Sequence, residues 1–251
     1  MIYIYLYIAI LGLILGSFYN VVGLRIPKGE SIISPPSHCP SCHKRLKFFE
    51  LIPVFSYIFQ KGQCRNCHSK ISPIYPLFEG LTAILFLYSF YTIGFDLELI
   101  IAWLFISLLV IISISDLHYQ IIPDRILLFF ALIFVLLRII ISLEPWYDML
   151  FGAIFGFSIL LLIAIISHGG IGGGDIKLLG VIGLVLGFKG TLVTLILAIF
   201  LGAIIGLILM VFGKVKKGVP FAFGPFIAMA AAISYFYDKD MIQWYFETFF
   251  Y

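Results

Sequence analysis

The sequence predicts an all-α polytopic membrane protein: about eight transmembrane helices, with a small cytoplasmic zinc-binding insertion between helices 1 and 2. Three observations predict it. Hydrophobic residues make up 62% of the 251 and charged residues only 12%, where a soluble domain carries about a quarter charged. The charges are spaced to leave long apolar runs. One stretch alone, residues 25–74, breaks that pattern, and it holds all four cysteines. Disorder, a coiled coil and an ordinary soluble enzyme core are excluded by the same figures.

A spanning helix needs ~20 mostly apolar residues, at ~1.5 Å rise across a ~30 Å hydrocarbon core. The charge-free runs place helices near 2–22, 77–95, 98–115, 125–143, 149–166, 175–188, 190–212 and 219–237. The first is no cleavable signal peptide, because Arg25 and Lys28 follow its apolar run instead of preceding it. By the positive-inside rule the N-terminus is then outside and residue 25 is cytoplasmic. Carried through eight spans, this orientation puts 13 of the 16 basic residues inside, among them Arg125, Lys177, Lys214, Lys216 and Lys217. Asp96, Glu98, Glu144, Asp148, Asp238, Asp240 and Glu247 fall outside. The chain divides accordingly into 1–24, a first helix; 25–74, a cytoplasmic cysteine domain; and 75–251, a transmembrane core. No internal repeat and no low-complexity segment beyond the apolar runs is apparent. The partner implied by composition is the lipid bilayer, and no nucleic acid is expected.

The insertion presents Cys39-Pro-Ser-Cys42 and Cys64-Arg-Asn-Cys67 with 21 residues between the pairs. Two C-x-x-C knuckles supply four thiolates for tetrahedral Zn2+ at a spacing close to that of zinc ribbons. A segment too short for a core of its own gains stability from a metal. Two disulfides would contradict the reducing cytoplasmic side, and a redox C-x-x-C needs a βαβ pattern that is missing. His38, His43 and His68 flank the knuckles as solvated neighbours, since four cysteines fill the shell. With 8 basic and 2 acidic residues (Glu30, Glu50), the insertion carries a net charge of +6, which suits anionic headgroups.

An intramembrane carboxylate is expensive and marks function. Asp116 closes helix 3, Asp124 follows Pro123 and opens helix 4 as a cap, and Asp175 ends the run Gly169-Gly170-Ile171-Gly172-Gly173-Gly174. Lys189 follows Asp175 by only 14 positions, roughly 21 Å of helix, which is expected to sink Asp175 below the cytoplasmic surface. The glycines before it are expected to adopt backbone conformations closed to other residues and to admit another chain. Two aspartates brought together share a proton, so that one activates water while the other donates to a carbonyl. No H-E-x-x-H or G-x-S-x-G appears; the adjacency of Ser167 and His168 by itself says nothing about a nucleophile–base pair, and His118 and His168 are expected to border the cytoplasmic loops.

At these residues the chain resembles the type IV prepilin peptidases, most closely the competence-associated members from Gram-positive bacteria. The resemblance runs through Gly16-Ser-Phe-Tyr-Asn20, Arg25-Ile-Pro27, His38-Cys-Pro-Ser-Cys42, Glu50-Leu-Ile-Pro53, Gly62-Gln-Cys-Arg-Asn-Cys67 and Ile74-Tyr-Pro-Leu-Phe-Glu79. It ends with Asp116…Ile122-Pro123-Asp124 and the G-x-G-D signature at Gly172–Asp175, followed by Lys177. It implies that Asp116 and Asp175 are the catalytic pair, supported by Gly172, Gly174 and Lys177. It implies substrates that are prepilins or pseudopilins, cut after a glycine between a basic leader and an apolar helix. It further implies methylation of the new amine with S-adenosylmethionine, for which Cys39, Cys42, Cys64 and Cys67 are needed and Glu50 and Gly62 are supporting candidates. The setting is the bacterial plasma membrane, with the active site toward the cytoplasm. Two other readings stay open: a channel or transporter bearing a zinc module, and a methyltransferase whose aspartates are structural.

Overall fold

Close helix packing in an apolar solvent depends on small residues, because lipid offers no hydrophobic drive for association. Three G-x-x-x-G steps in this chain serve that purpose. The computed structural model describes residues 2–168, 170–213 and 222–249. Lys214, Lys216, Lys217, Gly169 and the start of the helix expected from 219 lie outside the described residues. The helices are α1 (Ile2–Arg25), α2 (Phe55–Phe59), α3 (Ile74–Ile93), α4 (Glu98–Tyr119), α5 (Asp124–Ile140), α6 (Asp148–Ile166), α7 (Gly173–Val211) and α8 (Gly224–Phe249). Described residues contain isolated β-bridges but no strand. Two compact units divide the chain, residues 1–114 and 115–251.

In the first unit, α1 lies against α3 through Gly12 and Gly16. A Cβ at Gly12 would fall 2.6 Å from the Ala83 Cα, and one at Gly16 2.8 Å from the Glu79 Cα. Tyr19 and Ser107 hydroxyls meet at 2.6 Å, and Phe86 stacks on Trp103 with centroids 5.1 Å apart.

In the second unit, Gly152 and Gly156 of α6 face Gly183 and Gly187 of α7 backbone to backbone. A Cβ at Gly156 would meet both the Leu179 oxygen (2.6 Å) and Thr191 Cγ2 (3.0 Å). Twelve residues apart in a straight helix, those two would be ~18 Å apart. The two arms of α7 therefore fold back on one another at Gly187, whose φ of 70° and ψ of −172° are not helical. This reversal accounts for the two separate helices expected at 175–188 and 190–212. Arg138 of α5 donates to the Val185 oxygen at 2.8 Å, and Ser234 of α8 to that of Gly190 at 2.7 Å, clamping the hairpin near its tip.

Five of these segments are long and apolar enough to cross a membrane: Ile2–Lys28, α3, α4, α6 and α7. That is fewer than the eight spans expected. The folded-back α7 counts as one segment, α5 has 17 residues, and α8 carries Asp238, Lys239 and Asp240 within its length.

Candidate active site and metal centre

Asp116 lies in the last turn of α4 and is buried. Its Oδ2 accepts the Gly224 backbone N–H at 2.9 Å. That donor is free because Gly224 is the first residue of α8, and a helix start leaves its first N–H groups unused. The chain reverses after α4 at Gln120, with φ 54°. Ser115 then donates to the Ile121 oxygen at 2.5 Å, strapping residues 120–123 back toward the helix end. Ile122 comes to rest on the first turn of α7, where a Cβ at Gly174 would lie 2.7 Å from its Cβ.

Asp175 is the third residue of α7 and is also buried. The two carboxylates stand close enough to act on one another electrostatically, and Asp175 Oδ1 is buried with no hydrogen-bond partner among the described residues. A buried oxygen without a donor is costly and marks a position where a donor is wanted. Gly172 caps the helix with φ −67° and ψ 140°, and a Cβ there would sit 3.2 Å from Asp175 Oδ2. Gly170, Gly172, Gly173 and Gly174 are all absent from the positive-φ residues. Glycine at 174 is therefore needed for room against Ile122, and a Cβ at 172 would crowd the Asp175 carboxylate. The expected backbone licence is corrected for the described glycines of that run. Gly173 meets nothing within 4 Å.

Asp124 does not cap α5. Pro123 holds the cap position without a side-chain bond, and both Asp124 oxygens accept from Lys177 Nζ at 2.7 and 2.8 Å. This pair is 49% and 68% exposed, so it ties the starts of α5 and α7 together weakly. Ser167 donates to the Ala164 oxygen and accepts from the Gly170 N–H, and His118 and His168 are exposed. Sequence reasoning missed Gly224. Its signal is Phe223-Gly224-Pro225, a helix-start pattern, which says nothing of which carboxylate the amide will meet.

The four cysteines lie in the first unit, with their sulfurs all within 4.8 Å of one another. Cys39 and Cys67 sulfurs are 3.8 Å apart, the spacing of ~3.8 Å that a tetrahedron with Zn–S of ~2.3 Å requires. All four are free thiols. The two knuckles repeat one another 25 residues apart, a local C-x-x-C-H repeat where the sequence was expected to hold no internal repeat. Cys39 N–H donates to the Lys44 oxygen and Cys64 N–H to that of Ser69. His43 and His68 turn at φ 55° and 57°, and one bridge pairs His38 with Arg45, the other Gln63 with Lys70. The Cys42 backbone N–H, followed by the Ser69 hydroxyl, brings the Cys39 thiol down to about 6, and Ser69 lowers that of Cys67. Four sulfurs gathered at tetrahedral spacing, with the Cys39 and Cys67 thiols lowered and that of Cys42 raised, fit Zn2+.

Glu50 accepts the Lys47 N–H at 2.7 Å and so closes a local turn. Gly62 lines a cleft of about 420 Å³ with Tyr57, Lys61, Gln63, Lys70 and Ser72. Its charged groups are lysines, with no carboxylate for a ribose diol or a sulfonium, so the cleft does not fit S-adenosylmethionine.

Residues 10–93 match the Bacterial Peptidase A24 N-terminal domain and residues 103–207 the Type IV leader peptidase family. The chain is 45% identical over 236 residues to the prepilin leader peptidase/N-methyltransferase of Bacillus subtilis (94% of this chain, 95% of the relative). It is 31% identical over 273 residues to the protein of the same name from Pseudomonas aeruginosa (95% and 92%). Another of that name, from Xanthomonas campestris pv. campestris, is 31% identical over 267 residues (94% and 92%). No solved structure matches the chain.

Proposed function

The chain belongs to the type IV leader peptidase family, and from that premise we propose that it removes the leader from type IV prepilins or pseudopilins by a two-aspartate mechanism. The observation that carries this reading is the juxtaposition of Asp116 and Asp175. Both are buried and in mutual electrostatic reach, one oriented by an amide and the other with an oxygen still lacking a donor.

In the proposed reaction one carboxylate takes a proton from a water molecule, whose oxygen attacks the carbonyl carbon of the substrate glycine. The other carboxyl gives its proton to that carbonyl's oxygen. As the resulting diol collapses, the first carboxyl passes the water's proton to the leaving nitrogen, the C–N bond breaks, and the second carboxylate recovers a proton from the diol hydroxyl. Gly172 and Gly174 leave room for the pair and an extended substrate, and Lys177 supports the loop through Asp124. A substrate whose apolar helix stays in the bilayer presents its scissile bond near the inner interface, where eight spans with the N-terminus outside would set both aspartates.

The names of the relatives extend the proposal to N-methylation of the new amine at residues 25–74, with Cys39, Cys42, Cys64 and Cys67 holding a structural Zn2+ and residues 75–251 as the peptidase core. Bound zinc would replace the missing apolar core of the knuckles. The methyl donor, S-adenosylmethionine by the chemistry of that name, is given no place by the lysine-lined cleft.

Cleavage of a prepilin-like substrate by Asp116→Asn and Asp175→Asn variants tests the pair. Both variants, correctly inserted, should lose detectable cleavage, and retained cleavage in both removes the dyad. Cys39→Ser with Cys64→Ser should lose zinc and methylation together while cleavage continues.

A further inference from the structure

Zinc does not explain the rest of the cysteine segment's surface. Residues 48–50 form one helical turn and α2 (Phe55–Phe59) another. Phe48, Phe49, Phe55, Ile58 and Phe59 on these turns are exposed by 53% to 79%, and none belongs to a spanning helix. Five large apolar side chains left exposed on two neighbouring turns mark a contact with a membrane or another protein.

Glu79 fixes the depth at which the patch sits. Between the two turns, the Val54 N–H donates to Glu79 Oε2 at 2.7 Å. Glu79 is buried and is the sixth residue of α3, about 7.5 Å of rise beyond Ile74. The 20 residues of α3 extend ~30 Å, the thickness of the hydrocarbon core, so Glu79 lies inside it. Its side chain leans toward the helix start by the usual tilt of Cα–Cβ bonds. On α1 the facing residue is Gly16, about 13 Å in from Arg25. The Val54 tether thus holds residues 48–59 at the level where both helices leave the membrane, where the patch cannot stand off in water.

The flanking charge is complementary to such a surface. Exposed Lys44 and Lys47 precede the turns and Lys61 follows them, while Glu50, the one acid between, is engaged by the Lys47 N–H. Large apolar groups bordered by lysines are the composition of elements that lie in the headgroup–acyl boundary. Tyr57 connects this element to the metal centre, its hydroxyl lying 2.9 Å from where a Cβ of Gly62 would be, two residues before Cys64.

We propose that residues 48–59 form an interfacial foot. It buries Phe48, Phe49, Phe55, Ile58 and Phe59 in the acyl layer beside the ends of α1 and α3 and holds the zinc knuckles on the membrane surface. The foot stands apart from the peptidase reading, since it needs only the spanning helices.

Full-length protein in phosphatidylglycerol nanodiscs tests it, with Phe49→Trp and Phe59→Trp each measured against the parent and its three native tryptophans. A circular-dichroism spectrum and thermal midpoint equal to the parent's establish that each variant is folded. The added emission should be blue-shifted and should lose more than half its intensity when the lipids carry bromine on the upper acyl chain. Emission quenched by aqueous iodide and unaffected by brominated lipid would overturn the foot. Blue-shifted emission insensitive to both quenchers would overturn it too, because a second copy or another protein would then be the cover.

Discussion

Replacing Gly174 by alanine, with Gly173→Ala as its neighbour control, isolates the reason for glycine beside Asp175. The new Cβ at 174 would lie 2.7 Å from Ile122 Cβ, where carbon atoms ordinarily stay ~3.5–4.0 Å apart. The strap carrying Ile122 and the first turn of α7 must therefore separate by about 1 Å. That strap follows Asp116 directly, so the shift appears between the two carboxylates. A misplacement of ~1 Å costs on the order of 100-fold in rate, about 2.7 kcal/mol in the barrier. Overpacking itself costs about 1–3 kcal/mol of stability, leaving the fold intact. Gly173→Ala, with nothing within 4 Å of its Cβ, should cleave like the parent and gain a few tenths of a kcal/mol of helix propensity, of the order of ~0.5. The assay is initial rate of leader removal from a purified prepilin in nanodiscs, with thermal unfolding followed in parallel. The steric argument fails if Gly174→Ala cleaves within twofold of the parent, or if both alanines are equally impaired.

Gly187→Ala should lower the thermal midpoint and yield of folded protein, because its φ is 70° and a Cβ would strike the Asp148 carboxylate at the hairpin tip; a midpoint equal to the parent's refutes the hairpin constraint. Lys177→Gln removes an exposed ion pair worth at most ~1 kcal/mol, so initial rates should stay within about fivefold of the parent. The Cys39 thiol is brought down to about 6, below the ordinary thiol value, so its thiolate persists until pH falls through that value. Desolvation and the Cys67 sulfur raise the Cys42 thiol, which competes for a proton sooner. Ser69→Ala removes a hydroxyl 3.1 Å from the Cys67 sulfur and 3.6 Å from that of Cys39. It should move half-release of zinc, followed with a chelating dye, to higher pH; an unchanged or lower release pH is the contrary result.

What was legible in the sequence followed from local composition. Apolar runs separated by charges located the helices, because burial of backbone in lipid admits little else. The C-x-x-C spacing pointed to the metal, because a knuckle is a local structure whose geometry its own residues determine. Even the break between residues 188 and 190 was visible, though not that it folds one arm of α7 back on the other. Gly152, Gly156, Gly183 and Gly187 meet across α6 and α7; their G-x-x-x-G spacing is local, but which helix each pair faces is not.

The site shows the same division. Asp116 and Asp175 stand out in the sequence because charge is scarce in a chain that is 12% charged. Only the tertiary structure decided their neighbours: the first amide of α8 aimed at Asp116, Ile122 pressed on Gly174, and Asp124 drawn from its expected cap to Lys177. Each of these joins residues far apart in the chain, and each depends on where a helix end comes to rest. The sequence by itself determined that two aspartates lie at the ends of long apolar segments and that four cysteines fall in two C-x-x-C pairs. Packing of small residues between helices decided which backbone groups meet those carboxylates, since close approach is a property of two surfaces and not of either one alone.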